Sequence, residues 1–170
     1  MGALRTQRDI WVLPLFGERK PIPVVRTKFE EDGAAFSPDG KLISYQSNDL
    51  VSWQVYVASF PAADQRVRIS TTSGLGATWS RDGRTLFYLT SENKVAAVDV
   101  TVSAGQLRPS TPRELFSAER SVEDHERRLN VDPRGPRFLL TTRMPIADTP
   151  SIRVVTGWAG SPGASVTQPR

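Results

Sequence analysis

His125 is the only histidine of the chain, and it sits among Glu123, Asp124 and Glu126, residue types that ligate metals and transfer protons. A histidine beside carboxylates can ligate a divalent ion or pass protons as a general acid or base. Both roles need partners converging from elsewhere, and the stretch from Ala118 to Arg128 is polar and mixed in sign, so a solvated loop explains it without chemistry. There is no cysteine, which removes disulfides, thiolate metal sites and a cysteine nucleophile together. No Gly-x-Ser-x-Gly elbow occurs, and Gly74-Leu75-Gly76 lacks the third glycine of a phosphate-binding fingerprint, since Trp79 stands in its place. Asp39 and Asp82 recur at a fixed spacing, as acids lining a calcium channel do, but their position beside Gly40 and Gly83 gives them a role in turns. The sequence thus assigns no catalytic residue, no cofactor and no metal ligand.

Charge adds little to this. The net charge is +4, from 22 Lys and Arg against 18 Asp and Glu, and the two signs are interspersed. A nucleic-acid face usually shows a one-signed cluster, so no nucleic-acid partner is expected. No run of 18 apolar residues that would suit a membrane span occurs, and no signal peptide is visible after Met1 to Arg8.

The elements that must carry these residues emerge from an internal repeat. Phe36-Ser37-Pro38-Asp39-Gly40 and Trp79-Ser80-Arg81-Asp82-Gly83 lie 43 residues apart, and a weaker copy, Val131-Asp132-Pro133-Arg134-Gly135, follows 52 residues later. Each is a tight hairpin turn: Pro suits position i+1 of a type I turn, Asp i+2, and Gly supplies the positive φ required next. In the third copy the acid moves to position i, where its side chain can bond the backbone ahead. Leu42-Ile43-Ser44-Tyr45 and Leu86-Phe87-Tyr88-Leu89 follow the first two turns and are apolar on both alternating faces, as strands covered on both sides are. Further strands are expected at 53–58 and 66–70, then at 94–100 and 113–116. No helical periodicity is long enough for a crossover. The expected fold is all-β: a β-propeller segment of about three four-stranded antiparallel blades, incomplete as a monomer.

The expected layout is a disordered N-terminus at 1–8, an outer half blade at 9–28, blades at 29–72 and 73–118, and a partial last blade at 127–156. Residues 157–170, rich in Gly, Ser and Pro, are expected to form a disordered tail, and Trp158 beside it has no legible packing partner. Counting gives thirteen strands. Phe36, Trp79, Tyr45, Tyr88, Trp53 and Trp11 fall at positions suited to packing between blades rather than to a ligand cage.

Asp9-Ile10-Trp11-Val12-Leu13-Pro14-Leu15, Phe36 to Gly40, Trp79 to Gly83 and Val131 to Leu140 together resemble the WD40-like, Pro-Asp type repeat of TolB-type propellers. The pattern is most similar to the propellers that follow bacterial serine/threonine kinase domains. The resemblance spans residues 9 to 158 and implies a binding or scaffolding role in the periplasm or outside the cytoplasm. It brings no kinase activity, because the chain has no nucleotide loop, His-Arg-Asp or Asp-Phe-Gly motif.

The expected function is therefore a non-catalytic module binding a protein, peptide or cell-envelope ligand, with a homodimer that completes the propeller as a further partner. Two alternatives stand beside it: a propeller-based hydrolase or other small-substrate enzyme using channel residues, and a structural fragment of a larger propeller. An enzyme would need convergent carboxylates or a histidine in one pocket.

Overall fold

The computed structural model describes residues 8–118, 129–132, 134 and 137–140, and the backbone of 154–155. No helix occurs among them; they form antiparallel strands grouped into four successive sheets. The first sheet is a hairpin of β1 (Ile10–Val12) and β2 (Ile22–Val25). The second runs in the order β3 (Glu31–Phe36), β4 (Leu42–Ser47), β5 (Gln54–Ser59) and β6 (Arg66–Arg68). The third repeats that meander with β7 (Leu75–Trp79), β8 (Thr85–Leu89), β9 (Lys94–Ser103) and β11 (Arg113–Ser117). The last sheet contains β12 (Leu129–Val131), β13 (Phe138–Leu140) and β14 (Val154–Val155).

One strand was not expected. β10 (Gln106–Pro109) pairs with the outer half of β9 through a two-residue turn at Ala104 and Gly105, whose φ values of 49° and 74° are both positive. That is the geometry in which a turn's twist matches that of its strands. Among the described residues there are fourteen strands where thirteen were expected of the chain, and β10 is the addition, because β9 continues past the end of β8 and folds back on itself.

Sheets stack face to face, and the sequence repeat sets which face meets which. β4 and β8 are buried along almost their whole length, as residues covered on both sides must be. Tyr45 and Tyr56 face the β1–β2 hairpin with Ile43 and Ala58, against Ile10 and Val25. On the opposite face of the same sheet, Val55 and Val57 meet Leu86, Tyr88 and Val98 of the third sheet. Phe87, Leu89 and Val95 on the third sheet's far side then meet Leu129 and Phe138 of the last. Phe87 and Phe138 stand edge to face at 5.0 Å between ring centroids. The second and third sheets thus each offer one face to the preceding sheet and the other to the next. A chain whose strands alternated apolar and polar could not do this.

The close approach between sheets shows at Gly74, where a Cβ would lie 2.9 Å from side-chain atoms of Ser70, Tyr88 and Val55. Farther along the same interface, Gln46 Oε1 accepts a 3.2 Å hydrogen bond from the Gly76 amide. Gly33 and Gly76 stand 43 residues apart with matching φ of 62°, each within an irregularity of the first strand of its sheet.

Candidate binding surface

The recurrent turns cluster at one end of the stack, and their hydrogen bonding explains the repeated aspartates. In the first, Ser37 Oγ donates to Asp39 Oδ1 at 2.6 Å, the same carboxylate oxygen accepts from Lys41 N, and Gly40 N donates to Ser37 O. Gly40 has φ of 70°. The second is superposable in its bonding: Ser80 Oγ donates to Asp82 Oδ1 at 2.6 Å, Arg84 N donates to that oxygen, and Gly83 also has φ of 70°. The hydroxyl donor first and the amide second hold both carboxyls below the usual carboxylate range. In the third copy Asp132 accepts directly from Arg134 N at 2.8 Å, and its carboxyl is lowered chiefly by that bond. The recurrent acids are turn ligands of the protein's own backbone.

Successive turns also touch. A Cβ on Gly83 would lie 3.2 Å from Pro38 Cδ, whereas nothing stands within 4 Å of the corresponding position on Gly40. The same motif is therefore packed against a neighbour in one sheet and open in the other.

The β9–β10 hairpin projects from this end. It is tied back to the second sheet by Gln65, whose side chain donates to Gly105 O at 2.5 Å and accepts from Leu107 N at 3.0 Å. Between the hairpin and the Ser80–Arg84 turn lies an open cleft of about 610 Å³, lined by Asp82, Arg84, Thr85, Asp99, Val100, Thr101 and Val102. Its carboxylates are engaged: Asp99 accepts from Thr85 Oγ1 at 2.8 Å and lies 3.7 Å from Arg113. β8 pairs with β9 only as far as Asp99, and Val100 N donates to Arg84 O. Strand groups alternate in direction, and Thr101 and Ser103 pair with β10, so the N–H and C=O of Val102 face the cleft along an open strand edge.

The opposite end of the stack is built differently. Gln54 is buried, donating to Ser52 and Thr72 and accepting from Ser70 Oγ at 2.7 Å, while Ser70 Oγ in turn accepts from Val55 N. Glu31 is buried too: Oε1 accepts from Thr27 Oγ1, and Oε2 has no hydrogen-bond partner among the described residues. Leu50 and Val51 project from the β4–β5 loop at this end. On the flank, Tyr56 donates to Asp49 at 2.7 Å, and the Arg66 guanidinium lies 3.8 Å from the centre of the Tyr56 ring.

Of the aromatics singled out in the sequence, Tyr45, Tyr88 and Trp79 are buried between sheets, and Trp53 is half-buried. Phe36 is half-exposed and rests edge-on against Phe60 at 5.0 Å, and Trp11 is exposed. His125 and Trp158 lie outside the described residues, as does the greater part of 118–128 and 157–170. Among the described residues no group of three or more His, Asp or Glu is placed to hold a metal ion. No helix there is long and apolar enough to cross a membrane. Sequence reasoning missed the cleft, because its wall is the unforeseen hairpin. The available signal was Ala104-Gly105 between the alternating Val100, Val102 and Leu107.

No family model matches the chain, and no curated protein sequence does. Solved structures do. TolB from Acinetobacter baumannii aligns over 79% of this chain and 31% of its own, with TM-score 0.54 and 20% identity. A luciferin-regenerating enzyme aligns over 79% of this chain and 48% of its own, with TM-score 0.52 and 16% identity. At such identities the likeness establishes the fold and leaves activity open. The chain spans less than a third of the TolB chain and about half of the enzyme.

Proposed function

We propose that this chain, which folds as a segment of a TolB-like β-propeller, is a non-catalytic binding module that takes an extended polypeptide segment in the cleft between the β9–β10 hairpin and the Ser80–Arg84 turn. The observation that supports this most is the open edge of β9 at Val102, next to a cleft lined by Val100 and Val102 together with Asp82, Arg84 and Asp99. An extended peptide can add to such an edge through main-chain hydrogen bonds, with side chains of alternate residues entering the cleft.

Catalysis by this cleft is disfavoured on chemical grounds. Asp82 is held in its ionised form by two donors, so it is a poor general acid near neutrality, and Asp99 is occupied by Thr85 and Arg113. One structural neighbour is an enzyme, but at 16% identity it argues only for shared architecture. Partners of this kind, like a second copy of the chain, are protein rather than nucleic acid.

The test is peptide display against the full chain followed by a Val102→Pro exchange. Proline removes the one N–H on the open edge and leaves the β10 pairing of Thr101 and Ser103 in place. Selected peptides should bind the variant at least about tenfold more weakly, equivalent to the loss of a main-chain bond at roughly 1.4 kcal/mol per decade. Peptides whose affinity is indifferent to this change, with amide resonances shifting only at Leu50 and Val51, would move the site to the other end of the stack.

A further inference from the structure

The track on which β8 pairs with β9 is blocked at one end, which restricts how an extended segment can lie along the rest of it. The two strands are antiparallel, with Thr85 opposite Asp99, and one position further on Val100 N donates to Arg84 O at 2.8 Å. There the chain leaves the track, because Gly83, with φ of 70°, belongs to the turn that leads back to β7. The Arg84 N–H also departs from the ladder and donates to Asp82 Oδ1 at 3.1 Å. Past this point Thr101 and Ser103 pair with β10, so Val102 alone offers its N–H and C=O on the free side before the turn at Ala104.

A segment added antiparallel to β9 exchanges both of those bonds through a single residue, whereas a parallel one must set two residues astride Val102. The antiparallel segment is collinear with β8 and runs toward Arg84. It has room for a residue opposite Val102 and one more opposite Thr101, since Arg84 itself occupies the place opposite Val100. Its carboxyl end therefore arrives at Arg84. The residue opposite Val102 sets its side chain beside that of Val102, which is 60% exposed.

Charge at the blocked end favours a chain terminus there. Asp82 accepts from Ser80 Oγ and Arg84 N, and Asp99 accepts from Thr85 Oγ1 with Arg113 at 3.7 Å. Arg84 lines the same cleft and is exposed, and its guanidinium makes no hydrogen bond or ion pair among the described residues. A terminal ammonium would compete for carboxylates that already have donors. A terminal carboxylate meets a planar fork of unused donors, the geometry that binds it in two parallel bonds. Resting on the reading of this cleft as a peptide site, we infer that its ligand is a free polypeptide C-terminus. The ligand lies antiparallel to β9, with an apolar penultimate residue opposite Val102 and its terminal carboxylate on the Arg84 guanidinium.

Random peptides displayed with free C-termini are selected on the full chain, and the sequences recovered are synthesised as the free acid, as the C-terminal amide and as the acid extended by three glycines. Amidation and extension should each weaken binding by about tenfold or more, the loss of charge-assisted bonds to the carboxylate. Acetylating the N-terminus should change nothing. This comparison uses the parent chain alone and does not depend on any variant folding. Arg84→Gln should then abolish the difference between acid and amide while leaving the amide's affinity as it was, and Val102→Pro should weaken acid and amide alike. Peptides sensitive to Val102→Pro but indifferent to amidation and extension would overturn the C-terminal inference and leave the strand-edge reading standing. A preference for the acid that survives Arg84→Gln would overturn it too, since the carboxylate would then sit elsewhere. Peptides indifferent to Val102→Pro, or a library from which none is selected, would overturn both.

Discussion

Gly40 and Gly83 form a matched pair in which only the neighbour differs, and this makes the contact between sheets measurable. Both occupy the fourth position of the same hydrogen-bonded turn, both have φ of 70°, and only Gly83 has Pro38 Cδ at 3.2 Å from the position of a Cβ. Replacing Gly40 by alanine therefore adds the left-handed backbone cost alone, about 1–2 kcal/mol. Replacing Gly83 adds the same cost plus the displacement of a proline ring held in its own turn. Overpacking of that kind typically costs about 1–3 kcal/mol. The expected losses are about 1.5 kcal/mol for Gly40→Ala and about 3 kcal/mol for Gly83→Ala, and at roughly 2–4 °C per kcal/mol for a chain of this size the midpoints should differ by about 3–6 °C. Urea unfolding followed by Trp fluorescence at fixed chain concentration gives both free energies. Adding Pro38→Ala to each variant completes a double-mutant cycle, which should recover about 1 kcal/mol with Gly83→Ala and close to none with Gly40→Ala. Equal costs for the two glycine variants, or a cycle with no coupling, would refute the stacking of successive turns.

Two other outcomes follow from the same packing. The chain has three tyrosines, Tyr45, Tyr56 and Tyr88, and burial pushes all three up, Tyr56 and Tyr88 to about 12. A group raised in the folded state contributes stability that is complete below its unfolded pKa and lost as pH rises through the folded value. Absorbance at 295 nm should therefore stay flat through pH 10 and rise together with loss of the strand signal between about pH 10 and 12; a separate phenolate step near pH 10 in the folded chain would contradict the burial. Ser70→Ala removes the acceptor of the buried Val55 N–H and the donor to Gln54, and should cost about 1–3 kcal/mol in urea unfolding. A loss below half of that would mean another group reaches the Val55 amide.

The repeat was legible because its physical requirements are local. A turn with Ser, Asp and Gly at fixed positions specifies its own bonds, so Ser37 to Lys41 and Ser80 to Arg84 could be read from residue types alone. The strands after them were legible for the same reason, since Tyr45 and Tyr88 recur with the turns and mark runs that are apolar on both sides. The stacked all-β architecture follows from those two observations, and the solved TolB structure shares it.

The cleft depended on relations that no single segment encodes. Val100 and Val102 look like any strand residues, and only the end of β8 at Thr85 decides that one is paired and the other lies on an open edge. Gln65 sits in an ordinary loop, yet it fastens a hairpin forty residues away. Gly40 and Gly83 are alike in sequence and backbone and differ only because a neighbouring sheet brings Pro38 against one of them. Local propensity fixes which residues turn and which extend, within the reach of a few bonds. Contacts between sheets depend on how separately specified pieces meet, which is set by their combined shapes and so emerged only with the tertiary structure.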